Sequence, residues 1–442
     1  MIKREAKSKS PHPPFTKEGQ GGISSDSGFT LVELMITMVV FVLFIAAASQ
    51  MFTGLLTQFK QQSKIAETNI EGIVGLEILR QDIEHAGYGL PWNLMGVTDS
   101  DNDGDYWEHL SNYNEAFSTG SSPDPSDFND GNTASALPIP ANVQRAPRAI
   151  VSGNNIISSN NSDYLVIKSV NVARNYAAGK WQPLFYSVSG GSSMKIWWSQ
   201  VNEYVCRNDA GDHNTNVRVI VISPGATTSN SESLVVSGGK YYTGADNYTE
   251  LPGFAPSAGD VEHRTMYGVD PDTNLRMPFN RADYYIYTPA NMPQRCAPNT
   301  GILYKATLNH GATSASNQLN MLPLLDCVAD MQVIFGLDND GDGDFQPGVG
   351  GSTDGYSEDI TTLTAQQIRN QVKQVRVYIL AHEGQRDVNY TYPNYMISIP
   401  AYPDPAAGLG SYFDLSTVIG DPEYKYYRWK LYTMIVTPNN LR

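Results

Sequence analysis

Two short acidic runs carry the clearest metal-ligating chemistry of this sequence. Each run reads D-x-D-x-D-G and continues with a further aspartate. Carboxylate oxygens at alternate positions can converge on one hard cation, and the glycine permits the sharp turn that this convergence requires. We expect both runs to bind calcium. The aspartates are Asp99, Asp101, Asp103 and Asp105 in the first run and Asp338, Asp340, Asp342 and Asp344 in the second.

Both runs match only the first half of an EF-hand loop. At the twelfth position, where that loop has a bidentate glutamate, the two runs have Leu110 and Val349. A closing ligand must therefore come from elsewhere, and for the second run the candidates are Asp354, Glu358 and Asp359. The alternative to calcium binding is a solvated acidic turn between two strands.

A single acid, Glu33, lies near the start of an otherwise apolar segment at residues 28–48. About twenty apolar residues can span a bilayer, and a carboxylate within the span costs a few kcal/mol. Residues 1–28 are rich in Lys, Ser, Pro and Gly, which is typical of a processing leader. Because the small residue Gly28 precedes the apolar run, cleavage there would retain the helix. The alternative is a plain membrane anchor with a snorkelling acid.

Residues 28–33, G-F-T-L-V-E, resemble the N-terminal signature of type IV filament prepilins. The resemblance implies that a prepilin peptidase cleaves after Gly28 and methylates the new amine of Phe29. It also implies that Glu33 meets the N-terminal amine of a neighbouring subunit during assembly, and a buried carboxylate is tolerable when it is paired in this way. One departure is that Asp26 and Ser27 stand where the family often has Lys or Arg.

The element that must carry this motif is a long helix. Apolar residues recur at helical spacing without a proline across residues 29–87, which predicts a helix of about 58 residues and about 87 Å. Gly87, Gly89 and Pro91 supply its stop signal. We expect the first half to be transmembrane and the second half to pack on a globular head.

The head is expected to be mostly antiparallel β structure with long loops, so that the fold class is α+β. The predicted organisation is a cleaved leader at 1–28, the helix at 29–87, and a head at 88–442 with a large insertion at about 105–280. Runs rich in β-branched and aromatic residues predict the strands. They lie at 164–170, 195–198, 217–222, 284–287, 302–308, 331–335, 375–380 and 425–436.

Charge and motif content exclude several function classes. The net charge is −15, and removal of the leader, with its five basic and three acidic residues, makes it about −17. Nucleic-acid binding needs a basic surface, so we expect no nucleic-acid partner. The sequence contains no P-loop, G-x-S-x-G or H-E-x-x-H motif, and we expect the protein not to be an enzyme.

Three later blocks resemble the minor pilins of the PilW class. They are the helix end L-R-Q-D-I-E-H-A-G-Y-G at 79–89, the run at 324–344 with V-K-Q-V-R-V-Y-I-L-A after it, and the C-terminal Y-R-W-K-L-Y-T-M-I-V-T-P-N-N-L-R. This resemblance implies a minor pilin that primes pilus assembly or sits at or near the tip, with possible roles in adhesion and motility. The alternatives are a minor pseudopilin of a type II secretion system and a filament-borne adhesin or ligand-binding module.

The same resemblance implies where the protein is found and what it meets. We expect an inner-membrane precursor with a single span and a periplasmic head, which then enters a pilus on the cell surface. The expected partners are the prepilin peptidase and, through the N-terminal helix, other major and minor pilins.

The cysteine count is odd, with Cys206, Cys296 and Cys327. A head that faces an oxidising space is expected to contain a disulfide. We prefer Cys296 with Cys327 because both flank strands that are predicted to be neighbours, and Cys206 with Cys296 is the alternative. Neither a haem-attachment motif nor zinc-type spacing accompanies these thiols.

Overall fold

The computed structural model describes most of the chain after residue 28. The described residues are 29–95, 110, 113–130, 146–157, 161–185, 195–196, 205, 216–224, 232–244, 253–256, 263–398 and 412–441. They fall in two units, residues 1–60 and residues 61–442. Helix α1 (Leu31–Glu84) contributes residues to both units.

Helix α1 ends where the chain changes to turns at residues 85–89. Gly87 and Gly89 have φ values of 82° and 68°, a region that glycine adopts without a Cβ penalty. The helix therefore ends three residues before the predicted end at residue 87, and the glycines act in the turns after it. A second, short helix, α2 (Ala365–Gln371), begins with a capping box between Thr364 and Gln367.

The rest of the described chain is mostly β structure. Its strands, in chain order, are β1 (Asn93–Met95), β2 (Ile150–Ile157), β3 (Ser162–Ser169), β4 (Trp181–Phe185), β5 (Lys195–Ile196), β6 (Arg218–Ser223), β7 (Ser233–Val235), β8 (Thr243–Gly244), β9 (Arg264–Asp270), β10 (Asn280–Tyr287), β11 (Gly301–Leu308), β12 (Leu319–Leu337), β13 (Gly355–Ser357), β14 (Val372–Glu383), β15 (Met396–Ser398), β16 (Tyr412–Asp414) and β17 (Arg428–Val436).

These strands form an eight-stranded sheet, a seven-stranded sheet and a two-stranded sheet, and we call the first the main sheet and the second the small sheet. The main sheet has the order β17-β14-β12-β11-β10-β3-β2, with β13 added to β12. The small sheet has the order β1-β7-β6-β9-β4-β5, with β8 added to β6, and β15 pairs with β16. All pairings are antiparallel except that of β1 with β7. The predicted α+β class, a long helix followed by a mostly antiparallel β head, is confirmed.

Each predicted strand overlaps an observed one, but the bounds differ, and β10 and β14 have 8 and 12 residues against the predicted 4 and 6. Strand β12 runs for 19 residues, far beyond the predicted 331–335, because its first half pairs with β11 and its second half with β14. Strand β17 begins at Arg428, since the 3-10 helix Glu423–Tyr426 takes up the start of the predicted run. The stretch at 105–280 contributes β2 and β3 to the main sheet and most strands of the small sheet.

The second half of α1 packs on one face of the main sheet. Leu79 and Ile83 are fully buried there in the largest apolar core. A Cβ atom on Gly75 would lie only 2.1 Å from the backbone oxygen of Leu324 in β12. Glycine weakens a helix by about 1 kcal/mol, and here its missing side chain is what lets helix and strand approach.

One buried polar contact joins α1 to this face of the sheet. Asp82 of α1 pairs with the ammonium of Lys305 in β11 and accepts a hydrogen bond from the hydroxyl of Tyr284 in β10. Lys305 and Tyr284 lie directly opposite each other in the β10–β11 pair. Since both donors converge on one carboxylate, the contact sets how α1 lies along the strands.

The opposite face of the main sheet holds a buried cluster of six charged side chains, three acidic and three basic. We call it the charge cluster, and its members are Glu115, Asp130, Arg148, Lys168, Arg281 and Asp283. All six side chains are at most 1% exposed. Lys168 on β3 places its Nζ 2.8 Å from Glu115 Oε2 and 2.7 Å from Asp130 Oδ2. The segment 113–130 thereby covers a sheet face that would otherwise be polar and open.

The electrostatics of the cluster favour the ionised forms. Burial by itself would raise the pKa of Asp130, but Lys168 and Arg148 overcome this effect and lower the pKa to about 2. Arg281 similarly bridges Glu115 and Asp283 at 3.0 and 2.7 Å. Every carboxylate in the cluster thus has a cationic partner, which a buried charge requires.

Candidate functional site

The amino end of α1 is capped by the side chains of Thr30 and Glu33. Glu33 Oε2 accepts hydrogen bonds from the backbone N–H and the hydroxyl of Thr30, both at 3.0 Å. The N–H of Glu33 in turn donates to Thr30 Oγ1 at 3.2 Å. This reciprocal arrangement is a capping box, which satisfies N–H groups that lack partners inside the helix. The T-L-V-E run is thus a helix start signal that the sequence interpretation did not use.

The carboxylate of Glu33 can also form a further contact. Both of its hydrogen bonds fall on Oε2, and among the described residues Oε1 has no partner. An acid at this position is also stabilised by the positive end of the helix dipole. Phe29, beside it, is 83% exposed, whereas Gly28 lies outside the described residues.

The helix after this cap has the composition of a membrane span. Its most apolar window has a mean hydropathy of 2.7, and none of that window is buried within the protein. Large apolar side chains from Leu31 to Phe59 are exposed. Such a surface is stable in lipid or against other apolar helices rather than in water.

The second acidic run forms a compact loop after β12. Carboxylate oxygens of Asp338, Asp340 and Asp342 all lie within 4.8 Å of one another. Oxygens on opposite sides of a calcium ion, at 2.3–2.6 Å each, are up to about 5 Å apart, so the spacing suits one cation. Gly341 and Gly343 have φ values of 75° and 95°, which is the sharp turn that the sequence predicts.

Asp338 anchors this loop from inside the protein. It is 1% exposed, and its carboxylate accepts from the N–H groups of Gly341 at 2.6 Å and Gly343 at 3.0 Å. Lys373 lies 3.7 Å from Asp338 Oδ2 and offsets part of the negative charge. Asp340 and Asp342 are exposed. A cation held by these three carboxylates would therefore be accessible from the solvent side.

The other predicted ligands have different neighbours. Asp344 is outside the cluster and lies 3.4 Å from the Gln346 amide nitrogen. Asp354 accepts from the N–H groups of Asn339 and Gln346, so it ties the loop ends together. Asp359 accepts from Thr361. The first run, Asp99 to Asp105, lies outside the described residues.

The structure joins Cys296 and Cys327 in a disulfide, which is the pairing that the sequence favours. Cys327 lies at an irregularity in the β11–β12 pairing and has a φ of 58°. The ring of His382 is buried beside the bond and accepts from the N–H of Ala297 at 2.9 Å. Cys206 lies outside the described residues.

Two buried acids, Asp163 of β3 and Asp330 of β12, lie where the second half of β12 approaches the start of β3. Asp163 accepts from the N–H groups of Asn155 at 2.8 Å and Val333 at 2.7 Å. Burial raises the pKa of Asp163 to about 7, with Asp330 and Glu358 adding to the rise against the two N–H donors. Burial likewise raises the pKa of Asp330 to about 6.

The raised pKa values of these two carboxyl groups predict that the stability of the protein depends on pH. An unfolded aspartate loses its proton near pH 4 and folded Asp163 near pH 7, so between these values the folded state alone holds the proton. The free energy of unfolding should therefore fall as the pH rises from about 4 to about 7. Urea unfolding of the full chain in detergent micelles at pH 5 and pH 8 measures the difference in the free energy of unfolding between the two pH values.

Asp163→Asn should reduce that difference, because asparagine has no proton to lose. Asp421→Asn is the control, since Asp421 is an exposed aspartate with a surface ion pair to Lys425. An equal pH dependence in wild type and Asp163→Asn would contradict the assignment.

Comparison with known proteins finds a match at the N-terminal segment. Residues 23–49 match the family model of the prokaryotic N-terminal methylation motif. No curated protein and no solved structure matches the chain. The matched residues contain the 28/29 boundary, the capping box and the start of the apolar helix. They support a type IV prepilin-like protein, of pilin or pseudopilin type, and fit a precursor anchored in the inner membrane.

Proposed function

We propose that this protein is a minor pilin of a type IV pilus, of the PilW class, which primes assembly or sits at or near the pilus tip. The observation that carries the proposal is the methylation motif on an exposed apolar helix, followed by a large β head. The PilW-like blocks favour a pilus over a type II secretion system, where a minor pseudopilin is the alternative. Further roles in adhesion and motility rest on the same resemblance.

The proposed route begins at the membrane. A prepilin peptidase cleaves after Gly28 and methylates the amine of Phe29, and the helix keeps the precursor in the inner membrane until assembly. The capping box then holds Glu33 at the first turn, with Oε1 directed to no other described residue. The N-terminal amine of a neighbouring pilin supplies the cation that a carboxylate in an apolar filament core requires.

We further propose that the head works by binding and assembly rather than by catalysis, and without nucleic acid. Among the described residues, the buried acids and histidines serve structural contacts: Asp163 and Asp330 hold β12 to β3, and His382 holds the N–H of Ala297. The net charge of −15 opposes nucleic-acid binding.

Deletion of the gene tests the proposed role. If the protein primes assembly, electron microscopy should show few or no surface pili in the deletion strain, and the full-length gene should restore them. Normal pili together with lost attachment would instead identify an adhesin, and normal pili with a defect in protein secretion would identify a pseudopilin.

We also propose that the loop at 338–344 binds calcium through Asp338, Asp340 and Asp342. A ligand of the folded state stabilises by mass action, by about 2.7 kcal/mol at a hundred times its dissociation constant. Millimolar extracellular calcium would fill even a weak site. The melting temperature of the full chain in detergent micelles should therefore rise with calcium and fall back with a chelator.

The structure supplies a matched pair of variants for this prediction. Asp340→Asn removes a member of the cluster, and Asp344→Asn removes an equal charge next to it. The calcium-dependent shift should be smaller in the first variant and unchanged in the second. Equal loss in both would show general charge screening, and no shift in the wild type would refute the site. An Asp101→Asn variant tests the first run in the same way.

A further inference from the structure

An open cavity of about 320 Å³ lies beside the contact between Asp82 and Lys305. At about 30 Å³ for each water molecule, it has room for about ten waters, the scale of one sugar ring with its substituents. Its walls come from the start of β10, the β11–β12 hairpin, the end of β9 and the segment after β3.

The strand register brings the wall residues to one sheet face. Lys305 lies opposite Leu322, and Thr307 lies opposite Asn320. Directly paired residues point to the same face, and so do residues two apart along a strand. This is also the face that carries Tyr284, on which α1 packs. The cavity is thus a gap on the helix-packed face where α1 does not cover the strands.

Three polar side chains in this lining donate no hydrogen bond to any described residue. They belong to Arg174, Asn309 and Asn320. Arg174 is exposed and has neither a hydrogen bond nor an ion pair there, and Asn309 uses only its oxygen, which accepts from the N–H of Gly311. By contrast, Asn280 and His310 are bonded to each other at 3.2 Å. The free donors are therefore one guanidinium and two carboxamides around one cavity.

The charges of the lining select the kind of ligand. Lys305 is paired with Asp82; burial lowers the pKa of Lys305 against the opposing effect of Asp82, and the guanidinium of Arg174 is close enough to lower that pKa further and to oppose the rise that burial causes in the pKa of Asp82. The acid in the lining, Asp270, has one oxygen tied to the N–H and hydroxyl of Thr273. Arg174 is the only cation of the described lining without a bonded anion.

We propose that this cavity binds an acidic sugar of the hexuronate class, with its carboxylate on Arg174 and its hydroxyls on Asn309, Asn320 and Thr307. A guanidinium presents two parallel N–H groups to a carboxylate. Carboxamides both donate to and accept from sugar hydroxyls, and the Thr307 hydroxyl, which donates to the backbone oxygen of Asn320 at 3.3 Å, can accept from one. Leu322 offers an apolar contact for the ring. This binding site goes beyond the assembly role and does not depend on it.

Titration calorimetry on the full chain in detergent micelles tests the site. The probes are D-glucuronate and D-galacturonate, compared with D-glucose, which lacks the carboxylate, and acetate, which lacks the hydroxyls. At least one hexuronate should bind saturably with a dissociation constant of about 1 mM or lower. Glucose and acetate should each bind at least about tenfold more weakly. An oligomer of the bound hexuronate distinguishes a unit of a surface glycan from a free monosaccharide.

Variants assign the binding to this cavity. Arg174→Gln should weaken hexuronate binding at least about tenfold and leave the melting temperature unchanged, because Arg174 is exposed and has no bonded partner. Asn320→Ala should also weaken it. Arg386→Gln, at an exposed arginine outside the lining, is the control and should not. The proposal is overturned if neither hexuronate binds, if glucose or acetate binds as tightly, or if the control variant loses as much affinity as Arg174→Gln.

Discussion

Glu33→Ala should yield a protein that is cleaved and inserted in the membrane but largely excluded from filaments. An unpaired amine left in an apolar filament core is expected to cost about 3–5 kcal/mol, which corresponds to a loss of incorporation well above tenfold. Immunoblots of sheared filaments against the membrane fraction measure the ratio.

The capping box offers a control that separates charge from helix capping. Glu33→Gln removes the charge but keeps a side chain that can close the box. Thr30→Ala breaks the box and keeps the charge. If pairing with the amine matters, Glu33→Gln should be excluded like Glu33→Ala, and Thr30→Ala should be incorporated. The reverse result would show that the acid serves only to start the helix.

Lys168→Met should destabilise the head strongly. The substitution leaves Glu115 and Asp130 buried without the ammonium that contacts both. Removal of one partner from a buried ion pair costs about 3–5 kcal/mol, which is a large part of the 5–15 kcal/mol that is typical of a folded protein. The urea midpoint of the full chain in detergent micelles should fall accordingly.

Lys430→Met is the matched control for this substitution. Lys430 also forms a 2.7 Å ion pair, with Glu383, but its side chain is 43% exposed. A surface pair contributes at most about 1 kcal/mol, so this variant should shift the midpoint little. Equal shifts in the two variants would contradict the role of burial.

The features that the sequence predicts well are local. The apolar run, the glycine turns after α1 and the strand periodicities each depend on neighbouring residues. The D-x-D-x-D-G loop likewise depends on alternation over a few positions, and three of its four aspartates come together as expected. Asp344 does not join them, because the direction of its side chain depends on the path of the loop after Gly343.

The features that the sequence does not predict depend on residues far apart in the chain. Lys168 lies inside the strand predicted at 164–170, and no local pattern marks its burial under Glu115 and Asp130, which are more than thirty positions away. Val333 and Asp163 meet only because β12 is long enough to curl towards β3. No local pattern marks such pairs.

Local chemistry in the sequence was thus sufficient to predict a long apolar N-terminal helix, an acidic turn and a β-rich head. Tertiary structure alone decided which charges are buried, which aspartates share a loop, and where the helix leaves a cavity on the main sheet. The reason is physical: hydrogen bonds and apolar periodicity act over a few residues, whereas burial and ion pairing depend on which distant segments cover each face.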